Sequence, residues 1–281
     1  MDLDIPDAVR HGPAVKRARE AGQLIERVSM VSNELSRLRR EAIEELLDGG
    51  MTKAQVAREL GLDPSRISRI VRSGIPPERA LLSPDGGPVT VALGSKLAQV
   101  GDGRPSDMIS RDAAEAYDTL RAALEHYGVG CSREIVPAPG LIELNRDRLI
   151  VLGSPKVLPI VGQIMASDPH FAFDVDATGR HLVELGDEPV IHRSPQDRGE
   201  PGDVAYIGRL PRPDGRGTFL YLAGIHAAGT HGAARYLVDH VAELYSTVRD
   251  RLFSLLVAVT YRSTSDHTIV ETRALTTTHL R

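Results

Sequence analysis

Between Gly49 and Gly74 the chain carries a glycine stop, a helix start, a glycine turn and a second helix start, a succession that leaves few folds open. Gly49-Gly50 ends the segment before it, because glycine readily takes the left-handed conformation of a helix C-terminus. Thr52-Lys53-Ala54-Gln55 has the Thr-x-x-Gln form of a capping box, in which the threonine hydroxyl and the glutamine amide satisfy orphan backbone groups. The helix it opens runs to about Leu60, with Val56, Ala57 and Leu60 on one face, and Gly61 makes the turn. Asp63-Pro64 then supplies a cap followed by proline at the first helical position. The next helix carries Ser65-Arg66-Ile67-Ser68-Arg69-Ile70-Val71-Arg72 and stops at Gly74, ahead of Pro76-Pro77.

Two short helices around a glycine turn match the anatomy of a helix-turn-helix. On the second, Ile67, Ile70 and Val71 fall on the buried stripe, which leaves Ser65, Arg66, Ser68, Arg69 and Arg72 outward. Arginine grips guanine or phosphate with its fork of donors, and serine reaches either. With Thr52 and Lys53 at the entry of the first helix, these residues form the predicted face for double-stranded DNA. Lys53, Arg58, Arg66, Arg69 and Arg72 outnumber Glu59 and Asp63 here, although the whole chain has a net charge of −4. That balance excludes a uniformly basic nucleic-acid coat and allows a local basic face.

Upstream, from Ala14 to Leu47, only Gly22 interrupts a run of helix formers. Leu24, Val28, Val31, Leu35, Leu38 and Ala42 recur there at heptad spacing. Such a seam serves either a long helix packed on its own domain or a helix paired with its copy. A homodimer is expected, since one recognition helix covers too few bases to be selective alone. Lysine occurs only at Lys16, Lys53, Lys96 and Lys156, so arginine carries nearly all the positive charge, a bias associated with GC-rich bacterial genomes. Leu35 to Ala42 followed by Met51 to Ser68 resembles the helix-turn-helix of sigma-factor region four. It is also similar to the module heading many actinobacterial regulatory proteins. The resemblance implies a DNA-binding transcriptional regulator, with an adaptor that contacts RNA polymerase or another protein as the alternative.

Pro76-Pro77 and Ser83-Pro84-Asp85-Gly86-Gly87-Pro88 read as a linker. Past it, strands are expected at Val89–Leu93, Arg148–Leu152, Phe171–Val175, His181–Leu185, Val204–Leu210, Thr218–Ala223, Phe253–Tyr261 and Thr268–Leu275. Helices are expected at Arg111–Tyr127, after Gly153-Ser154-Pro155 to Met165, and from about Gly232 to Val248. The fold class is therefore two-domain: an all-α helix-turn-helix with a long leading helix over residues 1–75, a linker over 76–88, and an α/β sandwich with a mixed sheet over 89–281. In outline this second domain is similar to nucleotide-sensor domains of bacterial stress and defence systems, and to those that follow sigma-like modules.

Two strand-to-helix junctions in it are rich in small residues, Gly153-Ser154-Pro155-Lys156 and Gly224 to Gly232. Helix N-termini offer unpaired N–H groups, and ligands of open α/β sheets sit at the carboxyl ends of strands. Gly153, Ser154, Pro155, Lys156, Gly224, His226, Gly229, Thr230, His231 and Gly232, with Arg209 from a segment that also holds Arg198, Arg212 and Arg216, are the predicted contacts for a small anionic, nucleotide-like ligand. Gly224 and Gly229 have P-loop spacing, but Thr230 stands where that motif needs lysine. Plain tight turns are the competing reading. His226 and His231 lack zinc spacing, Gly153-Ser154-Pro155 is not a nucleophile elbow, and Cys131 is the sole cysteine, so no metal, cofactor or catalytic set is read. A nucleotide-processing enzyme remains an alternative. No apolar run approaches the roughly 20 residues of a membrane helix. The acidic start Met1-Asp2-Leu3-Asp4 lacks the order of a signal peptide, and a cytoplasmic protein is expected.

Overall fold

The computed structural model describes residue 9 and residues 11–72, 77–84, 86–100 and 104–281. The chain divides into two compact units, Met1–Gly87 and Pro88–Arg281.

In the first unit, helix α1 spans Ala14–Asp48 and passes through Gly22 without a break. Helices α2 (Lys53–Glu59) and α3 (Pro64–Arg72) follow. Thr52 makes both halves of the capping box: its Oγ1 accepts from the Gln55 N–H at 3.3 Å, and its own N–H donates to Gln55 Oε1 at 2.8 Å. Asp63 Oδ1 accepts from the Ser65 N–H at 2.7 Å and opens α3. Ile43 of α1 packs with Val56, Ala57 and Ile67, and Leu47, Met51, Leu62, Ile70 and Val71 close around them. The heptad residues lie off that core: Val28, Val31, Leu35, Leu38 and Ala42 are exposed and Leu24 is half-buried. The expected linker contains a helix, α4 (Pro77–Leu82), with Ala80, Leu81 and Leu82 buried. Pro77 opens a helix where an extended spacer is expected. Gly74 and Pro76 lie outside the described residues.

The second unit is built on a sheet of order β12-β11-β9-β10-β5-β1-β4, with β13 (His279–Leu280) on β11. Strands β1 (Val89–Gly94), β4 (Cys131–Val136), β5 (Leu149–Leu152) and β10 (Thr218–Gly224) run parallel. Strands β9 (Gly202–Pro211), β11 (Phe253–Ser263) and β12 (Asp266–Ala274) continue it antiparallel. The mixed α/β architecture thus stands as expected. Strands β5 and most of β9 are buried along their length because elements cover both faces. On one face lie α5 (Arg111–His126) and α7 (Ala227–Asp239), packed on each other. On the other, α6 (Pro159–Met165) and a meander of β6 (Phe171–Asp176), β7 (Gly179–Glu184) and β8 (Val190–Arg193) enclose a core with Phe171, Tyr206, Tyr221 and Leu256.

Several boundaries differ from the sequence reading. The stretch after β1 forms a hairpin, β2 (Lys96–Val100) and β3 (Arg104–Met108), where the sequence reading places no strand. Strands β4, β8 and β13 are additional. Helix α7 begins at Ala227, five residues before the expected start, and ends at Asp239. His240 leaves helical geometry with φ −117°, and α8 (Val241–Val248) begins anew. Among the described residues no helix is long and apolar enough to cross a membrane.

Candidate functional site

Helix α3 turns Ile67 inward, fully buried, and presents Ser65, Arg66 and Arg69 to solvent, with Ser68 half-buried. Lys53 and Arg58 of α2 are also exposed. Among the described residues no carboxylate pairs with Arg66 or Arg69. Thr52 is exposed, but its hydroxyl is engaged with Gln55, so its local role is to start α2. The side chain of Arg72 lies outside the described residues.

In the second unit, Gly94, Gly153 and Gly224 close β1, β5 and β10 at one edge of the sheet, where the ligand crevice is expected. Under the first two glycines the crevice is filled. A side chain at Gly153, whose φ is +134°, would meet Val157 Cγ2 at 2.9 Å, and one at Gly94 would meet Val157 and Leu158 at 2.8 and 2.9 Å. Ser154 O accepts from the N–H groups of Val157 and Leu158, Pro155 packs on Gly162, Lys156 is exposed, and α6 starts only at Pro159. The Gly153 junction is a turn folded onto its own chain.

The Gly224 junction is also internally satisfied. His226 is the N-cap residue of α7 and makes no side-chain cap. Asp203, at the head of β9, takes that place: its Oδ2 accepts from the N–H of His226 and of Gly229, each at 2.9 Å. Thr230 Oγ1 accepts from the Gly224 N–H at 2.9 Å. The helix N-terminus that attracts an anion is thus occupied by the protein's own carboxylate. The glycines permit that closeness. A Cβ at Gly229 would lie 2.2 Å from Asp203 Oδ2, one at Gly224 2.3 Å from His226 O, and one at Gly232 2.3 Å from Val259 Cγ2. Gly229, Thr230, His231 and Gly232 therefore belong to the helix and not to a phosphate-cradling loop.

Burial pushes the Asp203 carboxyl up to about 6; the Ser194 hydroxyl, the His226 charge and the backbone N–H groups pull it down less strongly. An acid whose folded pKa is raised binds its proton more tightly folded than unfolded. Its contribution to stability is complete below the ordinary value of 3.8 and is lost as pH rises through about 6. We expect Asp203→Asn, which keeps an oxygen acceptor, to gain stability relative to wild type between pH 4 and pH 7, by up to about 3 kcal/mol. Urea unfolding of both proteins across that range checks this. A difference that does not change with pH would contradict it.

The remaining predicted contacts separate. Arg209 is buried near the opposite edge of the sheet, about 20 Å along β9 from Asp203 at the usual strand rise. Its Nη1 donates to the carbonyls of Arg249 and Arg251 at 2.6 and 3.2 Å, and its guanidinium lies over Phe253. Arg212 is held by Asp147 and Asp214. The half-exposed His226 ring sits 2.8 Å from Asp197 Oδ1. His231 faces a groove of about 460 Å³ shared with Glu115 and Thr119 of α5, Arg235 and Asp239 of α7, and Thr268–Thr272 of β12. Its Nδ1 lies 3.4 Å from Glu115, and burial lowers its pKa, with the Glu115 charge opposing. Among the described residues no group of three or more His, Cys, Asp or Glu side chains is arranged to hold a metal ion.

Asp203 is the residue that sequence reasoning passed over. Its signal was an acid opening the otherwise apolar run Asp203-Val204-Ala205-Tyr206-Ile207, together with a helix start that lacks a Ser, Thr, Asp or Asn cap. No family model, curated protein or solved structure matches this chain.

Proposed function

We propose that the chain is a sequence-specific DNA-binding regulator in which α2, the turn at Gly61 and α3 act as a helix-turn-helix. The observation that carries this reading is the two-sidedness of α3: Ile67 is buried against α1 and α2, and Ser65, Arg66 and Arg69 stand exposed on a basic surface. Recognition helices have that division, with one face packed and the other free for base edges and phosphates. The regulator acts as a dimer through the exposed seam of α1, which brings two recognition helices to a near-palindromic site. Residues 88–281 are its responsive part. There the groove beside His231 has the dimensions of a small-molecule site. His231 and Arg235 line it as donors toward a nucleotide-like ligand, with Arg235 paired to Asp239 at 2.7 Å in its absence, and the N–H groups at the glycine turns are engaged as well. Such a ligand regulates only if it binds one state of the protein better than another.

The experiment is a titration of the full chain into duplex DNA at rising salt. The regulator requires affinity that falls steeply and linearly on a log–log scale, as counterions are released. An adaptor that docks on RNA polymerase requires polymerase binding with no measurable DNA affinity.

The seam gives a separate prediction. Leu35 and Leu38 are 61% and 42% exposed, so Leu35→Glu with Leu38→Glu should leave folding unchanged and break the α1 contact between copies. Light scattering at micromolar concentration should then report a lower mass for the variant than for the parent. A variant with the mass of the parent contradicts the seam.

A further inference from the structure

Strand β12 ends the sheet of the second unit, and among the described residues no strand pairs with its outer edge. An open edge presents a row of backbone donors and acceptors that a further strand can satisfy. This edge is long, nine residues, and very regular between Glu271 and Ala274. A register shift at Val270 leaves that side chain 66% exposed. The faces of the strand follow from its pairing. Thr272 lies opposite Val259, whose side chain touches Gly232 of α7, so Thr272 faces the helices. Glu271 and Arg273 lie opposite Thr260 and Ala258 and point to the other face, both exposed. Among the described residues neither has an ion-pair partner.

We propose that β12 pairs antiparallel with β12 of a second copy, about a two-fold axis through Thr272. Side-chain alternation requires the axis to pass through a residue, because opposite residues of a pair share a face. The charges then select which residue. An axis through Thr272 sets Glu271 opposite the partner's Arg273, twice by symmetry, and Val270 opposite the partner's Ala274. An axis through Glu271 or Arg273 sets like charges face to face, which is destabilising. An axis through Val270 or Ala274 forms neither ion pair. The interface is isologous, as a closed dimer requires. It involves residues 88–281 alone and does not depend on the seam of α1.

The test uses the full chain carrying Leu35→Glu and Leu38→Glu, so that α1 does not hold copies together, and Cys131→Ser, so that no native thiol competes. Opposed residues in an antiparallel pair have Cα atoms about 4.5–5.5 Å apart, within disulfide range. Thr272→Cys should therefore form a disulfide-linked dimer on mild oxidation. Thr268→Cys should not, because its symmetry mate would lie about 26 Å away along the strands. In the same background without added cysteine, Glu271→Arg should weaken self-association about tenfold, and Glu271→Arg with Arg273→Glu should restore it. Absent cross-linking at position 272, equal cross-linking at 268, or failure of the charge swap to restore association would each overturn the proposal. The α1 seam is judged separately, by the mass of the parent chain against the seam variant.

Discussion

Gly229→Ala should destabilise residues 88–281 by about 3 kcal/mol or more, against the direction that helix propensity predicts. Gly229 lies within α7, where alanine ordinarily gains close to 1 kcal/mol over glycine. Here its Cβ would stand 2.2 Å from Asp203 Oδ2 and 2.9 Å from Gly224 Cα. Neither neighbour can retreat, because Asp203 is buried and holds two N–H groups of the helix start, and Gly224 is backbone at the end of a central strand. Relief of the clash means loss of the cap, which strands buried donors. Gly186 is the control within the same unit: nothing lies within 4 Å of a Cβ there, so Gly186→Ala should be neutral. Urea unfolding followed by circular dichroism measures both. A Gly229→Ala protein as stable as Gly186→Ala would show that Asp203 does not cap α7 as described.

Arg66→Ala and Arg69→Ala should each cost about 1–3 kcal/mol of DNA affinity if each reads a base, and should relax selectivity at one base pair apiece. Both side chains are exposed, so folding should not change. Lys53→Ala should act differently. Lys53 lies at the start of α2, where a phosphate contact is expected, and its loss should weaken binding to all sequences alike and lower the salt slope by about 1. Equilibrium titration of a base-substituted panel of duplexes separates the two behaviours. If Arg66→Ala lowers affinity uniformly across the panel, α3 is not the reading helix.

The parts of this protein that were legible in the sequence are those whose determinants are local. Thr52 and Gln55 are three residues apart, Asp63 and Ser65 two, and each cap forms as its spacing requires. The apolar runs at Leu149–Leu152 and Val204–Leu210 become buried strands because no other environment accepts them. Strand β4 was hidden because it is an edge: Cys-Ser-Arg-Glu-Ile-Val exposes polar side chains and shows no apolar alternation. Pro105 and the polar Arg104–Met108 likewise disguised the β2–β3 hairpin. The candidate site misled for a different reason. Gly224, Gly229 and Gly232 look like a ligand-cradling loop, yet they are small because a helix packs against Asp203 and Val259, residues distant in the chain. Arg209 is close in sequence to the glycine turn, but strand geometry carries it to the far edge of the sheet. Contacts of that range leave no periodic trace in a single sequence.

Selection of binding sites from a random duplex library by the intact chain decides whether α2 and α3 read DNA sequence. We expect enrichment of a near-palindromic site whose half-sites are separated by about 34–36 Å or a multiple of it. Arg66→Ala with Arg69→Ala should abolish that enrichment. A library that emerges from successive rounds with no enriched sequence, at a salt concentration where the protein still binds DNA, would contradict it.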